Sequence, residues 1–323
     1  MSFLFDFQDR RTYFGIGMAV LILVLPLFLN AYWTDVCVSI GLYAILALSL
    51  NVILGQADIF HMGHAAFYAV GAYVTAILNT MFHWSIFWTM PVAGFAAALV
   101  ALVVARPIIH LRGDYLLIVT IGIVEIVRIA LTNDIGGITG GSNGIFGIAR
   151  PRFFGFRIVK SIQFYYLVWG MCGATILLFH CLWHSRIGRA LNYIKEDDVA
   201  AEACGVNVTH YKLMAFVLGA FWAGMAGTLY AAKMTTIAPA SFNFMESVII
   251  FAVVILAGGS QLGVLVSAFL FIGLPELLRG FSSARMLFFG AAMMIMMVWR
   301  PQGLMPPRQR RYRIPDPGTE ERS

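Results

Sequence analysis

Catalytic signatures are what this chain has least of. It carries no His-Glu-x-x-His, no Gly-x-Ser-x-Gly and no stretch where histidines and carboxylates gather at one depth, so neither a zinc hydrolase nor a serine hydrolase is written in it. Charge is scarce: 12% of residues are Asp, Glu, Lys or Arg, against about 25% in ordinary soluble domains. Four cysteines, Cys37, Cys172, Cys181 and Cys204, lie in or beside apolar runs or in a polar island and imply no disulfide framework. The period-two alternation of an outer-membrane barrel is missing. The net charge of +6 comes without a basic stripe interleaved with aromatics, which argues against nucleic acid as a partner.

Hydrophobic residues make up 60% of the chain, in recurring runs of about 20 that suffice to cross a hydrocarbon core of about 30 Å. The reading is all-α: a polytopic inner-membrane helical bundle of about ten spans, near 13–33, 36–54, 65–82, 86–105, 115–131, 164–183, 213–232, 247–262, 263–278 and 286–299. Residues 1–299 form one transmembrane domain in this reading. Arg10 and Arg11 precede the first run, and Leu29-Asn30-Ala31-Tyr32-Trp33 offers no small-residue cleavage site, so the first span is expected to be retained. With both termini inside, the inner side carries 14 Lys and Arg and the outer side 7, with Arg128 inside a span. That bias puts both termini and the 185–211 connection in the cytoplasm and the 132–163 loop outside.

Residues 185–211 are the polar island of the second half. Ile187, Leu191 and Ile194 recur at i, i+4 and i+7, one helical face, with Arg189, Asn192 and Lys195 elsewhere on the turn. Asp197 or Asp198 is placed to cap a second short helix with a small face of Val199, Ala200, Ala203 and Cys204, and Gly205 stands where a terminating glycine belongs. Two short helices between spans offer a surface for another protein to hold.

Two glycine-bounded interruptions break the apolar pattern, Gly55 to His64 and Ala257 to Gly263, and similar words introduce them: Val52-Ile53-Leu54-Gly55 and Val254-Ile255-Leu256-Ala257-Gly258. Interrupted segments in corresponding halves point to a substrate path, with Gly55, Gly63, His64, Gly258 and Gly259 as its candidates; tight turns between hairpinned helices would give the same pattern. Glu125 joins that set as an intramembrane acid, although Arg128 three residues on can neutralise it. His61 and His64 have a spacing two metal ligands could use, but no Cys or carboxylate cluster accompanies them, and no metal or other cofactor is expected. Ala220, Ala223, Gly224 and Gly227 make overlapping small-xxx-small pairs, within the chain or across a subunit boundary. Glu276, after Pro275, either lines an outer vestibule or sits at the surface. The 132–163 loop is long, rich in glycine and aromatics, and lacks a Gly-Lys-Ser/Thr ending, which points to docking or gating at the outer mouth, with a loose connector as the alternative. Residues 300–323 read as a disordered basic tail beside anionic lipid.

From about Leu48 to Leu304 the chain resembles the membrane permease subunits of branched-chain amino acid ABC importers, the LivM-like branch. The carrying segments are Leu50-Asn51 through Gly55, Gly63-His64-Ala65-Ala66-Phe67, Gly71-Ala72-Tyr73, Leu111-Arg112-Gly113-Asp114-Tyr115 and Ile138-Thr139-Gly140-Gly141-Ser142-Asn143-Gly144. Gly188-Arg189-Ala190, Ala200-Ala201-Glu202-Ala203-Cys204-Gly205 and Arg300-Pro301-Gln302-Gly303-Leu304 complete them. The resemblance implies a multi-pass subunit of a bacterial inner (plasma) membrane that does no covalent chemistry. It also implies that 185–211 is the coupling loop docking on an ATPase, through Arg186, Gly188, Arg189, Asp197, Asp198, Ala200, Ala201, Glu202 and Gly205. The permease pattern there is Glu-Ala-Ala, three residues, Gly; Val199 replaces the Glu, leaving Asp197, Asp198 and Glu202 for any acidic contact. The implied partners are a second, related permease in a heterodimer, two cytoplasmic ATPase subunits and an extracytoplasmic substrate-binding protein. Relatives that carry urea or short amides, and a self-sufficient ion-coupled transporter, are the alternatives; Asp58, Glu125 and Arg128 are a thin supply for an ion relay. A membrane enzyme comes third.

Overall fold

A chain this apolar must satisfy its backbone hydrogen bonds internally, and it does so in helices. The structure, a computed structural model, describes residues 24–111, 113–153, 156–277 and 303–305, with Gly17, Ile22, Gly290 and Met294. In order, α1 (Ala31–Asn51) widens at its end into a π-helical turn, Val52–Gln56. There follow α2 (His64–Phe82), α3 (Ile86–Ile108), α4 (Asp114–Thr132) and α5 (Ser161–His184). Two short helices, α6 (Arg186–Glu196) and α7 (Asp198–Ala203), lead into α8 (Val208–Met234). The last described helices are α9 (Phe244–Ala257) and α10 (Gln261–Ala268), which runs through a second π-helical turn, Phe269–Gly273, into Leu274–Leu277.

Among the described residues 7 helices are long and apolar enough to cross a membrane, and Gln261–Leu277 is a shorter apolar one. Eight of the ten expected spans are therefore in view. Apart from Gly290 and Met294, the expected span 286–299 lies outside the described residues, as do Arg112, most of 13–33 and all of the tail except 303–305. One boundary moves: the second span begins at Ala31 rather than near 36, because the chain breaks around a 3-10 turn at Leu25–Leu27 and enters the helix from extended Asn30.

The most buried helix is α1, and α8 packs against it, α2 and α3. Without water to drive association in lipid, close backbone approach does the work. A Cβ on Gly71 would stand 2.1 Å from the Gly224 carbonyl oxygen, and one on Gly227 2.4 Å from that of Tyr68. The small-residue pairs of α8 therefore serve packing within the chain. By contrast α3 and α4 turn Trp88, Phe95, Val103, Tyr115, Ile118 and Ile126 outward.

The 132–163 loop is folded. Asp134 Oδ1 accepts from the backbone N–H groups of Thr139 and Gly140, Ile145–Phe146 (β1) pairs antiparallel with Thr236–Ile237, and Arg152–Phe153 (β2) pairs with Phe156–Arg157 (β3). Gly144, at φ 77°, leaves no room for a side chain, since a Cβ there would lie 1.9 Å from the Ile237 carbonyl oxygen. The glycine-rich run thus brings two backbones together, at the opposite end of α8 from α6 and α7.

Candidate functional site

The amphipathic reading of α6 holds: Leu191 and Ile194 are buried and Ile187 packs partly buried on the core. Ser185 starts the helix by accepting from the N–H groups of Ile187 and Gly188. Gly188 lies against the end of α5, where a Cβ would come 2.3 Å from the Trp183 carbonyl oxygen, and Arg189 donates to the His184 carbonyl at 3.2 Å. Asp197 is the residue that caps α7, accepting from Val199 N at 2.8 Å and Ala200 N at 3.1 Å. Gly205, at φ 82°, ends it, with Gly205 N donating to the Glu202 carbonyl and Val206 N to that of Ala201. Asp198 pairs with Lys212 at 2.6 Å. Of the three acids left for a partner, two are thus engaged and Glu202 stands exposed. Ala201 is buried, while Tyr193, Val199, Ala200, Ala203 and Cys204 face outward. The result is a capped two-helix projection with a small, mostly uncharged tip.

The same projection touches the interrupted segments. Lys195 Nζ donates to the Gly55 carbonyl at 2.7 Å. Asn51 Nδ2 donates to the Gly259 carbonyl at 3.2 Å, so the 55–64 and 257–263 breaks meet. Gly303 lies on the second break, where its Cβ would fall 2.3 Å from Gly258 Cα, and Leu304 N donates to the Leu256 carbonyl at 2.8 Å. Around this junction Asn51 Oδ1, Gln56 Oε1 and Gln261 Nε2 are buried without a partner among the described residues.

Gly63 and His64 are not part of the junction. After Asp58, whose φ of 52° turns the chain, the strand doubles back alongside α1. His64 Nε2 comes within 2.7 Å of Ser49 Oγ, Met62 N donates to Thr120 Oγ1 and Ala65 N to Ser247 Oγ. Helix α2 therefore starts inside the bundle, beside the first turn of α9. His61 and His64 are fully buried among Phe67 and Phe216, and among the described residues no group of three or more potential metal ligands forms. Glu125 stands apart on the outward-facing α4, paired with Arg128 at 2.7 Å, both about a third exposed.

One constellation was not apparent from the sequence. Glu246 accepts from Tyr43 Oη at 2.6 Å. Tyr43 lies about 18 Å along α1 from Ala31 at about 1.5 Å per residue, so this carboxylate sits deep in the bundle. Its spacing from Asn243, whose Oδ1 accepts from Glu246 N, reads in sequence as an ordinary helix start at a membrane surface. On the same face of α1, Lys233 Nζ donates to the Asp35 carbonyl at 3.0 Å and to Ser39 Oγ at 3.1 Å, and Tyr32 donates to Glu276. A polar stripe of Tyr32, Asp35, Ser39 and Tyr43 thus runs down the most buried helix. Nothing in an amino-acid string links an acid at 246 to a tyrosine at 43.

A profile described as branched-chain amino acid transport system, permease component, matches residues 32–297. The chain is 37% identical over 323 residues to the high-affinity branched-chain amino acid transport system permease protein LivM of Escherichia coli, covering 92% of this chain and 75% of that protein. It is 23% identical to a probable LivM permease of Methanocaldococcus jannaschii, over 82% of this chain and 91% of that one. To the LivH permease protein of Escherichia coli it is 26% identical, over 73% of this chain and 81% of that one. No solved structure matches it.

Proposed function

The chain belongs to the branched-chain amino acid transport permease family, and from that premise we propose that it is the pore-forming subunit of an ATP-driven importer of branched-chain amino acids. Residues 1–299 are its transmembrane domain, 132–163 lie on the extracytoplasmic side of a bacterial inner membrane, and 185–211 and the 300–323 tail lie in the cytoplasm. Its matches to both LivM and LivH proteins support a pair of related permeases as the working unit. Two ATPase subunits and an extracytoplasmic binding protein complete it. Relatives named as transport permeases support a carrier over an enzyme.

The observation that carries the mechanism is the hydrogen bond from Lys195 to the Gly55 carbonyl. The α6–α7 tip docks on an ATPase through Arg186, Val199, Ala200, Glu202 and Gly205, while Gly188 and Arg189 fix the projection to α5. When the ATPases close, the tip shifts, and Lys195 transmits the shift to the junction of Gly55, Gly258 and Gly259. That junction is a gate: its glycines carry no side chains, and the unpartnered polar atoms beside it are at hand for a second arrangement. Gly63 and His64 line the path where α2 begins. The work is a change in relative stability of two helix packings.

The test is ATP-driven leucine uptake by the reconstituted complex. Arg189→Glu, and separately Gly205→Leu, are expected to abolish uptake while the protein still reaches the membrane. Normal uptake in both would remove 185–211 from the coupling role. Flux driven by an ion gradient through this chain alone would replace the reading with a secondary transporter.

A further inference from the structure

An importer of amino acids must hold a zwitterion inside the membrane, and the polar stripe of α1 has the parts for it. Building on the importer reading above, we propose that Glu246 and Lys233, set against Ser39 and Tyr43, form a resting site for the charged end of an amino acid. Glu246 receives its α-ammonium and Lys233 its α-carboxylate.

Four observations support this. First, the two residues carry opposite charge, and among the described residues neither forms an ion pair within 4.0 Å, the opposite charge that acts on Lys233 from farther off being Asp35. A charge in or at the end of a span without a close ion-pair partner is costly and is kept where function needs it. Second, the spacing fits. Lys233 holds Ser39 and Glu246 holds Tyr43, and these two residues of α1 are one turn, about 6 Å of backbone rise, apart on one face. Both contacts therefore lie within the reach of one small zwitterion.

Third, the carboxylate lies in the first turn of α9, at the positive end of that helix, and Tyr43 donates to it. Fourth, aromatic faces stand beside it. Glu246 follows Phe242 by four residues, and the rings of Tyr68 and Tyr230, 5.3 Å apart, each pack on Phe242. Such a cluster suits an ammonium group by cation–π attraction and an aliphatic side chain by contact. Along α1, exposure falls from Tyr32 and Asp35 to half-buried Ser39 and Tyr43, and Ala44 to Gln56 are buried. The stripe leads in from one end and stops at Glu246.

The experiment is leucine uptake by the complete transporter with Glu246→Gln, Glu246→Asp, Lys233→Met and Lys233→Arg, with the yield of assembled complex measured for each. A Gln carbonyl still accepts from Tyr43, though less strongly than a carboxylate, so a merely structural Glu246 largely tolerates Glu246→Gln. A zwitterion site does not. Losing one charged hydrogen bond is expected to cut uptake about tenfold or more in Glu246→Gln and Lys233→Met, with charge-retaining Glu246→Asp and Lys233→Arg recovering a large part. A second readout is Ser39→Cys, whose modification by a water-soluble thiol reagent, located by peptide mass, slows when leucine is being transported. Wild-type uptake in either neutral variant, or losses that follow complex yield alone, overturns the site. Unchanged Ser39→Cys labelling under transport does the same. A wild-type complex that fails to transport leucine with ATP overturns the importer reading instead.

Discussion

The two polar regions of this bundle are made of opposite materials. At the α6–α7 end, the fixed points are glycine backbones: the Gly55 and Gly259 carbonyls accept from the Lys195 and Asn51 side chains, and Gly303 lies on Gly258. On the stripe of α1, contact is between side chains from separate helices: Tyr43 with Glu246, Lys233 with Ser39, Tyr32 with Glu276. Contacts built on glycine backbone tolerate no added bulk and ask of a side chain only a donor that reaches the carbonyl. Side-chain contacts have the reverse sensitivity. A moving joint is suited to the first construction, and a site that must recognise a ligand to the second.

That contrast can be broken most severely by bulk at the joint. Gly303→Val sets a Cβ 2.3 Å from Gly258 Cα on a residue at φ 80°, where a branched side chain is strained. Overpacking of this kind typically costs about 1–3 kcal/mol, and the expected outcome is loss of most of the assembled transporter, read as complex recovered from membranes. Recovery at wild-type level would mean that the 303–305 contact is dispensable. Lys195→Met comes next. It removes a charged donor worth about 1.5–3 kcal/mol but no packing partner, so assembly should persist while leucine transported per ATP hydrolysed falls several-fold.

The smallest effect is expected on α4. Replacing Glu125 and Arg128 together by Gln and Met removes a pair about a third exposed, and paired removal avoids stranding one charge. Pairs of this exposure contribute about 0–1 kcal/mol, so thermal stability and uptake should stay near wild type. A tenfold fall would join Glu125 to the path, and the comparison would then have three regions rather than two.

This division also governs what the sequence made legible. Local features were readable because their causes are local: the apolar face Leu191–Ile194, the Asp197 cap and the Gly205 terminator of α7 each depend on neighbours within a turn or two. The two glycine interruptions were readable as breaks, and their similar wording hinted at a relation. That they meet required the fold, since Asn51 and Gly259 are brought together only by the packing of α1 against α9 and α10. Glu246 was hidden for a different reason. An acid three residues after Asn243 looks like a surface helix start, and only the descent of the 235–243 segment beside Tyr68 and Tyr230 carries that start inward. The grouping of Gly63 and His64 with Gly55 was too coarse, because the turn at Asp58 sends them back along α1.

The strap at 303–305 has a consequence for biogenesis. Gly55, Lys195 and Gly258 emerge from the ribosome well before Gly303, and chains inserted during synthesis organise from the N-terminus onward. The contact therefore waits, incomplete, until the chain has been made past residue 303. Leu304 N closing on the Leu256 carbonyl is a late latch in assembly, and a ribosome that stops short of it leaves a subunit with an unfinished hinge for membrane proteases to find.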